Sequence, residues 1–239
     1  MMSLVRNYQK LATALTKIDY SPPVFHVYNP AGYAQEPHDQ YLRTYAEGAK
    51  EVIFLGMNPG PYGMTQTGVP FGDPHYVQTF LGIDGHVRRP RQQHPKRPIL
   101  GFDSPRSEVS GQRLWGWIAE HFGTPEAFFE RFVILNYCPL VFLEESGRNL
   151  TPDKLNADER RQLQQLCDAA LVTAVEQLEA KWVVGVGQWA QKQAKRALTH
   201  LGDAAPQLAT VLHPSPASPI ANRGWAAQAE DQLASLGLL

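Results

Sequence analysis

Four short apolar runs recur along the chain: Val52-Ile53-Phe54-Leu55, Phe132 to Tyr137, Trp182-Val183-Val184-Gly185-Val186-Gly187, and Leu208 to Leu212. Each reads as a strand, and the first, bounded by Gly56, as one covered on both faces in a parallel sheet. Helical spacing fills the intervals. Leu4, Leu11, Leu15 and Ile18 share one face of a first helix, His38 to Ala49 forms a second, and Pro74 to Leu81 a third. Ser110 is positioned to cap a helix carrying Leu114, Trp117, Ile118 and His121, with Gly123 at its end. A long helix is predicted from Asp153 to Ala180, with Leu163, Leu166, Ala170, Leu171 and Ala174 inward, and another from Trp189 to Leu201. Strands alternating with helices predict an α/β fold with right-handed crossovers. No repeat and no linker divides the 239 residues, so residues 1–239 are predicted to form one domain.

Polar residues gather where the apolar runs stop. After the first run, Gly56-Met57-Asn58-Pro59-Gly60-Pro61-Tyr62-Gly63-Met64 reads as neither strand nor helix. Its prolines withhold backbone donors, and its glycines permit positive φ and the close approach of a ligand. Ligands of open α/β sheets bind outside the carboxyl ends of strands, which makes this loop a candidate site; plain punctuation between elements is the alternative. It lacks the Gly-Lys-Ser/Thr of a phosphate loop and the immediate helix of a dinucleotide fingerprint. Asn136 ends the second run, where an amide must find partners, either a ligand or the core. His213 ends the fourth run and opens a second Pro-rich loop, Pro214 to Trp225. Because the carboxyl ends of parallel strands share one edge, Asn58, Asn136 and His213 are predicted to face a common crevice.

Charge adds one feature. From His86 to Pro98 the chain carries Arg88, Arg89, Arg91, Lys96 and Arg97 with no acidic residue, an irregular basic loop that is either a solvated face or a phosphate contact. Elsewhere composition is that of an ordinary globule, 43% hydrophobic and 19% charged, with net charge −1, so overall attraction to a polyanion is not expected. Only Cys138 and Cys167 are present, which excludes a four-thiolate iron–sulfur cluster and suits a reducing compartment. The opening residues lack an apolar signal region, and no apolar run approaches spanning length. An intracellular location is expected, cytoplasmic or nucleoid in a bacterium and nuclear in a eukaryote, with no membrane partner.

The stretches GMNPGPYGMTQTGVPFG from Gly56 to Gly72, NYCPL from Asn136 and HPSPASPIANRGW from His213 to Trp225 resemble the family 3 uracil-DNA glycosylases, the single-strand-selective monofunctional type. SGRNLTP from Ser146 and VVGVG from Val183 strengthen the resemblance, which covers most of the chain from about residue 51 onward. It implies a uracil-DNA glycosylase fold, a central four-stranded parallel sheet flanked by helices, with no metal and no cofactor. It also implies a monomer that removes uracil, and 5-hydroxymethyluracil, from single- and double-stranded DNA to begin base excision repair.

By this resemblance Asn58 places the attacking water and His213 stabilises the departing base anion. Met57, Gly60, Met64, Phe71 and Asn136 hold the base, with Phe71 stacking on it and Gly60 leaving room beside C5. The Asn136 amide matches uracil O4 and N3–H and mismatches cytosine at both places. No lysine is expected at the site, hence no strand nicking. Pro214, Ser215, Pro216, Ala217, Ser218 and Arg223 form the loop that presses on DNA, and Arg88, Arg89 and Arg91 are candidate phosphate contacts. Here the chain departs from vertebrate relatives, which carry an arginine wedge where Ala217 stands. Two other readings stay open: a module that flips bases without cutting, and an enzyme whose main substrate is a deaminated purine such as xanthine.

Overall fold

The structure is a computed structural model and describes residues 3–239. Its strands are β1 (His26–Tyr28), β2 (Val52–Gly56), β3 (Phe132–Asn136), β4 (Val141–Leu143), β5 (Asn149–Leu150), β6 (Trp182–Val186) and β7 (Gln207–Val211). The helices are α1 (Leu4–Leu15), α2 (Pro30–Tyr33), α3 (Gln35–Tyr45), α4 (Met64–Thr67), α5 (Pro74–Thr79), α6 (Val109–Phe122), α7 (Pro125–Phe129), α8 (Ala157–Leu178), α9 (Gln188–Leu198) and α10 (Trp225–Ser235).

The four apolar runs form the expected sheet, parallel throughout, in the order β3-β2-β6-β7. Every residue of β2 and β3 is buried, as unbroken apolar runs require. The first parallel strand, β2, lies between the second and third, so the chain leaves it toward both sides and opens a crevice at the carboxyl edge. Helices α1, α8 and α9 pack together, while α6 and α7 carry Trp115, Phe128 and Phe129 into an aromatic cluster with Phe54 and Phe132. Buried residues from Leu4 to Leu238 join in one hydrophobic cluster. No helix among the described residues is long and apolar enough to cross a membrane.

Several boundaries differ from expectation. Glu108, and not Ser110, caps α6, because Asp73 Oδ2 accepts the Glu108 N–H at 2.9 Å and fixes the chain ahead of Ser110; Ser110 lies inside the helix. The long helix starts at Ala157 behind an Asn156–Glu159 capping box, after a separate 3₁₀ turn at Pro152–Lys154. The second helix runs Gln35–Tyr45, earlier than predicted. A second sheet, antiparallel in the order β1-β4-β5, was not expected, nor was α10. Both support the site: β4 and β5 follow β3 directly, and α10 anchors the end of β7.

Candidate active site

One cavity of about 400 Å³ opens at the carboxyl edge of the parallel sheet. Its lining brings together Met57, Asn58, Gly60, Met64, Phe71, Asn136, His213, Ser215 and Pro216, all singled out from the sequence. Their backbone supports are explicit. Beyond Gly56 the β2–β3 ladder continues through Tyr137 N–H to Gly56 O and Cys138 N–H to Met57 O, which holds the Asn58 loop against the end of β3. The Asn58 amide nitrogen donates to Leu140 O at 3.2 Å, leaving Oδ1 as an acceptor. Asn136 is buried, and its Nδ2 meets Met64 Sδ at 3.1 Å.

His213 is held from several sides. Before it, Leu212 is tied to α10 by Trp225 Nε1–H to Leu212 O at 2.6 Å and by Leu212 N–H to Gln232 Oε1 at 2.8 Å. After it, the Ser215 N–H donates to His213 Nδ1 at 3.0 Å. An Nδ1 that accepts cannot carry a proton, so the ring is the neutral tautomer with its hydrogen on Nε2. Burial acts the same way, lowering the pKa from 6.5 to about 4. His213 is thus a neutral donor at physiological pH. Its ring lies 6.0 Å, centroid to centroid, from that of Phe71.

Phe71 has φ 53, a left-handed conformation rare for a bulky residue. The surroundings over-determine it: Thr67 Oγ1 donates to Gly72 O at 3.0 Å, Asp73 N–H donates to Phe71 O at 2.8 Å, and α6 passes so close that a Cβ at Gly111 would fall 2.0 Å from Phe71 O. The strained backbone aims one ring into the cavity.

Gly56, Gly60 and Gly63 do not use the positive φ that glycine permits. They are small because side chains of the site press against them. A Cβ at Gly56 would lie 2.3 Å from Asn136 Oδ1 and 2.6 Å from Phe71 Cε2. At Gly60 it would lie 2.5 Å from Glu108 Oε2, and at Gly63 2.9 Å from Glu108 Cγ. The room beside Gly60 is therefore not empty: the Glu108 carboxylate occupies it. Burial pushes the Glu108 carboxyl upward from the usual range, opposed by the backbone N–H groups of Ser110 and Tyr62.

Sequence reasoning missed Glu108, along with Ser110, Asn149 and Thr151, which complete the lining. Asn149 and Thr151 fall in the SGRNLTP stretch, whose composition signals only a turn; Asn149 Oδ1 is buried without a protein partner. Arg113 was also missed. From α6 its guanidinium donates to Pro214 O, Ser215 O and Asn222 Oδ1, clamping the loop after His213. In that loop Pro214 is buried, Ser218 half-buried, and Ala217 and Arg223 exposed outside the cavity. Arg88, Arg89 and Arg91 are not brought to the cavity. Arg88 donates to Gly32 O in a separate depression beside Glu36 and Asp39, and Arg89 lies in another beside Asp84 and Asp103. Among the described residues no group of three His, Cys, Asp or Glu could hold a metal ion.

Sheet order and cavity together define an α/β protein with a strand-end crevice lined by an aromatic ring, an amide and an imidazole. The sequence profile of the Uracil DNA glycosylase superfamily matches residues 42–232. The single-strand selective monofunctional uracil-DNA glycosylase of Rattus norvegicus is 51% identical over 230 residues, 96% of this chain and 82% of that protein. The Bos taurus protein of the same description is also 51% identical, over 96% of this chain and 84% of that protein. The crystal structure of wild-type Pedobacter heparinus SMUG2 shares the fold, with a TM-score of 0.65 at 18% identity, covering 99% of this chain and 98% of that one. The chain belongs to the uracil-DNA glycosylase superfamily and, within it, to the single-strand-selective monofunctional family.

Proposed function

We propose that this protein hydrolyses the bond between uracil and deoxyribose in DNA, with Asn58 placing the water and His213 receiving the leaving base. The carrying observation is that both border one cavity with Asn136 and Phe71, and that His213 is held as a neutral Nε2–H donor. Breaking N1–C1′ sends the electron pair onto the base, whose charge spreads to O2, and leaves oxocarbenium character on the sugar. A preorganised donor helps most where charge develops, so Nε2–H aimed at O2 lowers the barrier without transferring a proton. Water held by Asn58 Oδ1 then adds at C1′ and releases its proton, giving free uracil and an abasic sugar. Asparagine is a weak base, which favours a path in which the bond breaks before water attacks. The cavity lining includes no lysine, so no imine with the opened sugar is expected.

Asn136 supplies base choice: its NH2 faces O4 and its C=O faces N3–H, and each group that cytosine leaves unpaired costs about 1–3 kcal/mol. Glu108 supports a role at C5. With its carboxylate against Gly60, a 5-hydroxymethyl group finds an acceptor there, whereas the methyl of thymine would desolvate a carboxylate without bonding to it. Flipping of the target base is required on a duplex and not on a single strand.

The test is base release from single-stranded oligonucleotides carrying uracil, 5-hydroxymethyluracil, thymine or xanthine. The parent should release the first two, and His213→Ala should lower kcat/KM on uracil by about 10²–10³-fold. Binding without release by the parent would mark a flipping module, and faster release of xanthine than of uracil would reassign the substrate.

A further inference from the structure

Pro61 borders a second recess as well as the base cavity. This cleft, of about 210 Å³, is walled by Tyr62, Lys96, Arg97, Pro98, Pro105 and Arg106. The Arg97 and Arg106 guanidinium carbons lie 5.3 and 5.1 Å from the centroid of the Tyr62 ring, and Arg106 Nη1 donates to Tyr62 Oη at 2.8 Å. Cation–π contact thus gathers two like charges at one ring. Lys96, Arg97 and Arg106 have no carboxylate within ion-pair distance among the described residues, although Arg43, Arg131, Arg148, Lys154, Arg161 and Arg196 all do.

The walls are fixed from behind. Gln66, 3% exposed, donates to Pro61 O and Pro98 O and accepts from Leu100 N–H and Gly101 N–H, tying three segments at the base of the cleft. Tyr28 Oη donates to Arg97 O at 2.7 Å and accepts from His94 N–H at 2.8 Å, and Arg97 Nε donates to Gly147 O at 2.8 Å. The small antiparallel sheet thereby presents residues 94–97 as a rigid turn. A cationic recess with an aromatic ring, held in place by the fold and sharing Pro61 with the base cavity, suits a phosphodiester backbone.

We propose that this cleft binds the phosphates of the DNA strand immediately next to the target nucleotide, on one side of it, and that Lys96 and Arg106 are the exposed cations that meet them. The proposal rests on the reading of the cavity as a uracil site. Cation and ring in a narrow recess suit a single strand, whose backbone can bend inward, better than a convex duplex edge. The cleft takes over the phosphate role expected of Arg88, Arg89 and Arg91.

Binding of a fluorescent single-stranded oligonucleotide, measured by anisotropy across a salt series, tests the cleft without needing catalysis. The double variant Lys96→Gln/Arg106→Gln should make the slope of log K against log salt shallower by about 0.7 for each phosphate that is no longer neutralised. The double variant Arg161→Gln/Lys195→Gln, which removes two exposed charges on α8 and α9, controls for net charge and should leave the slope unaltered. Neutral methylphosphonate linkages placed on the 5′ or 3′ side of the target should weaken parental binding on one side only and leave the double variant insensitive there. Equal slopes for parent and double variant, or equal sensitivity of the two to the neutral linkages, would overturn the cleft. A parent that binds with the expected slopes but releases no uracil would overturn the reading of the cavity and leave the cleft standing.

Discussion

The state of His213 gives the sharpest expectation. Its Nδ1 accepts from Ser215 N–H and burial sets its pKa at about 4, so the active form is the neutral ring and should persist well into acid. At pH 5 a group with pKa 4 is about 90% neutral, whereas at the ordinary value of 6.5 only about 3% would be neutral, a roughly 30-fold difference in active enzyme. The assay is single-turnover kcat/KM on a single-stranded uracil oligonucleotide from pH 4 to 8, read as alkali-labile sites. Glu108, the other titratable group lining the cavity, has its carboxyl pKa pushed up by burial, so the series is repeated with Glu108→Gln to isolate the imidazole. An acid limb whose midpoint stays near 6.5 in that variant would refute the buried neutral donor. Stability follows the same linkage: the unfolded chain takes up a proton near pH 6.5 while the native ring does not until about 4, so stability is full above 6.5 and falls across that window by up to about 3 kcal/mol. Nitrogen chemical shifts of His213 provide an independent check, since the neutral Nε2–H tautomer has a distinct pair.

The packing yields three more. Gly56→Ala drives a methyl into Asn136 Oδ1 and Phe71 at once, so kcat/KM should fall about a hundredfold through misplacement of the base, measured beside a melting curve to separate the loss from unfolding. Arg113→Met removes three charge-assisted bonds from the Pro214–Asn222 loop and should raise KM on single strands about tenfold or more; an unchanged KM would show that the clamp is dispensable for binding. Ala217 is exposed at the loop tip with only a methyl to offer a vacated stack, so Ala217→Arg should increase release from G·U duplexes relative to single strands; an unchanged ratio would discard the wedge.

Much of the frame was legible because its signals are long or repeated. Four apolar runs can be placed in a parallel sheet from pattern alone, and the sharing of one edge by their carboxyl ends is a rule of topology, which is why Asn58, Asn136 and His213 could be grouped before any contact was known. The small sheet was hidden because β1, β4 and β5 have only two or three residues, too few to display a period. The basic loop was hard to assign for a different reason. A run of charge is contiguous in sequence, but the chain turns within it: Arg88 and Arg89 line two separate depressions away from the cavity, whereas Lys96 and Arg97 join Arg106 from a separate segment. Ser110 looked like a cap because cap chemistry is local, and the residue that decided the matter was Asp73, brought in by tertiary structure.

Glycine carried the subtlest signal. In the first loop its smallness invited a reading in terms of flexibility and ligand approach, but a side chain of the protein itself stands where each missing Cβ would be: Asn136 and Phe71 over Gly56, Glu108 over Gly60 and Gly63. Gly187 combines both uses, a φ of 90 and a tight fit against His213, whose Cβ lies 3.2 Å from the position a methyl would take. These glycines are the moulds in which the working groups sit, and a mould leaves no period, charge or motif from which its contents can be named. It also makes the site stiff. Groups pressed onto backbone have few rotamers to lose when substrate enters, so a neutral imidazole and an amide can act through placement alone, as stabilisation by preorganised dipoles requires.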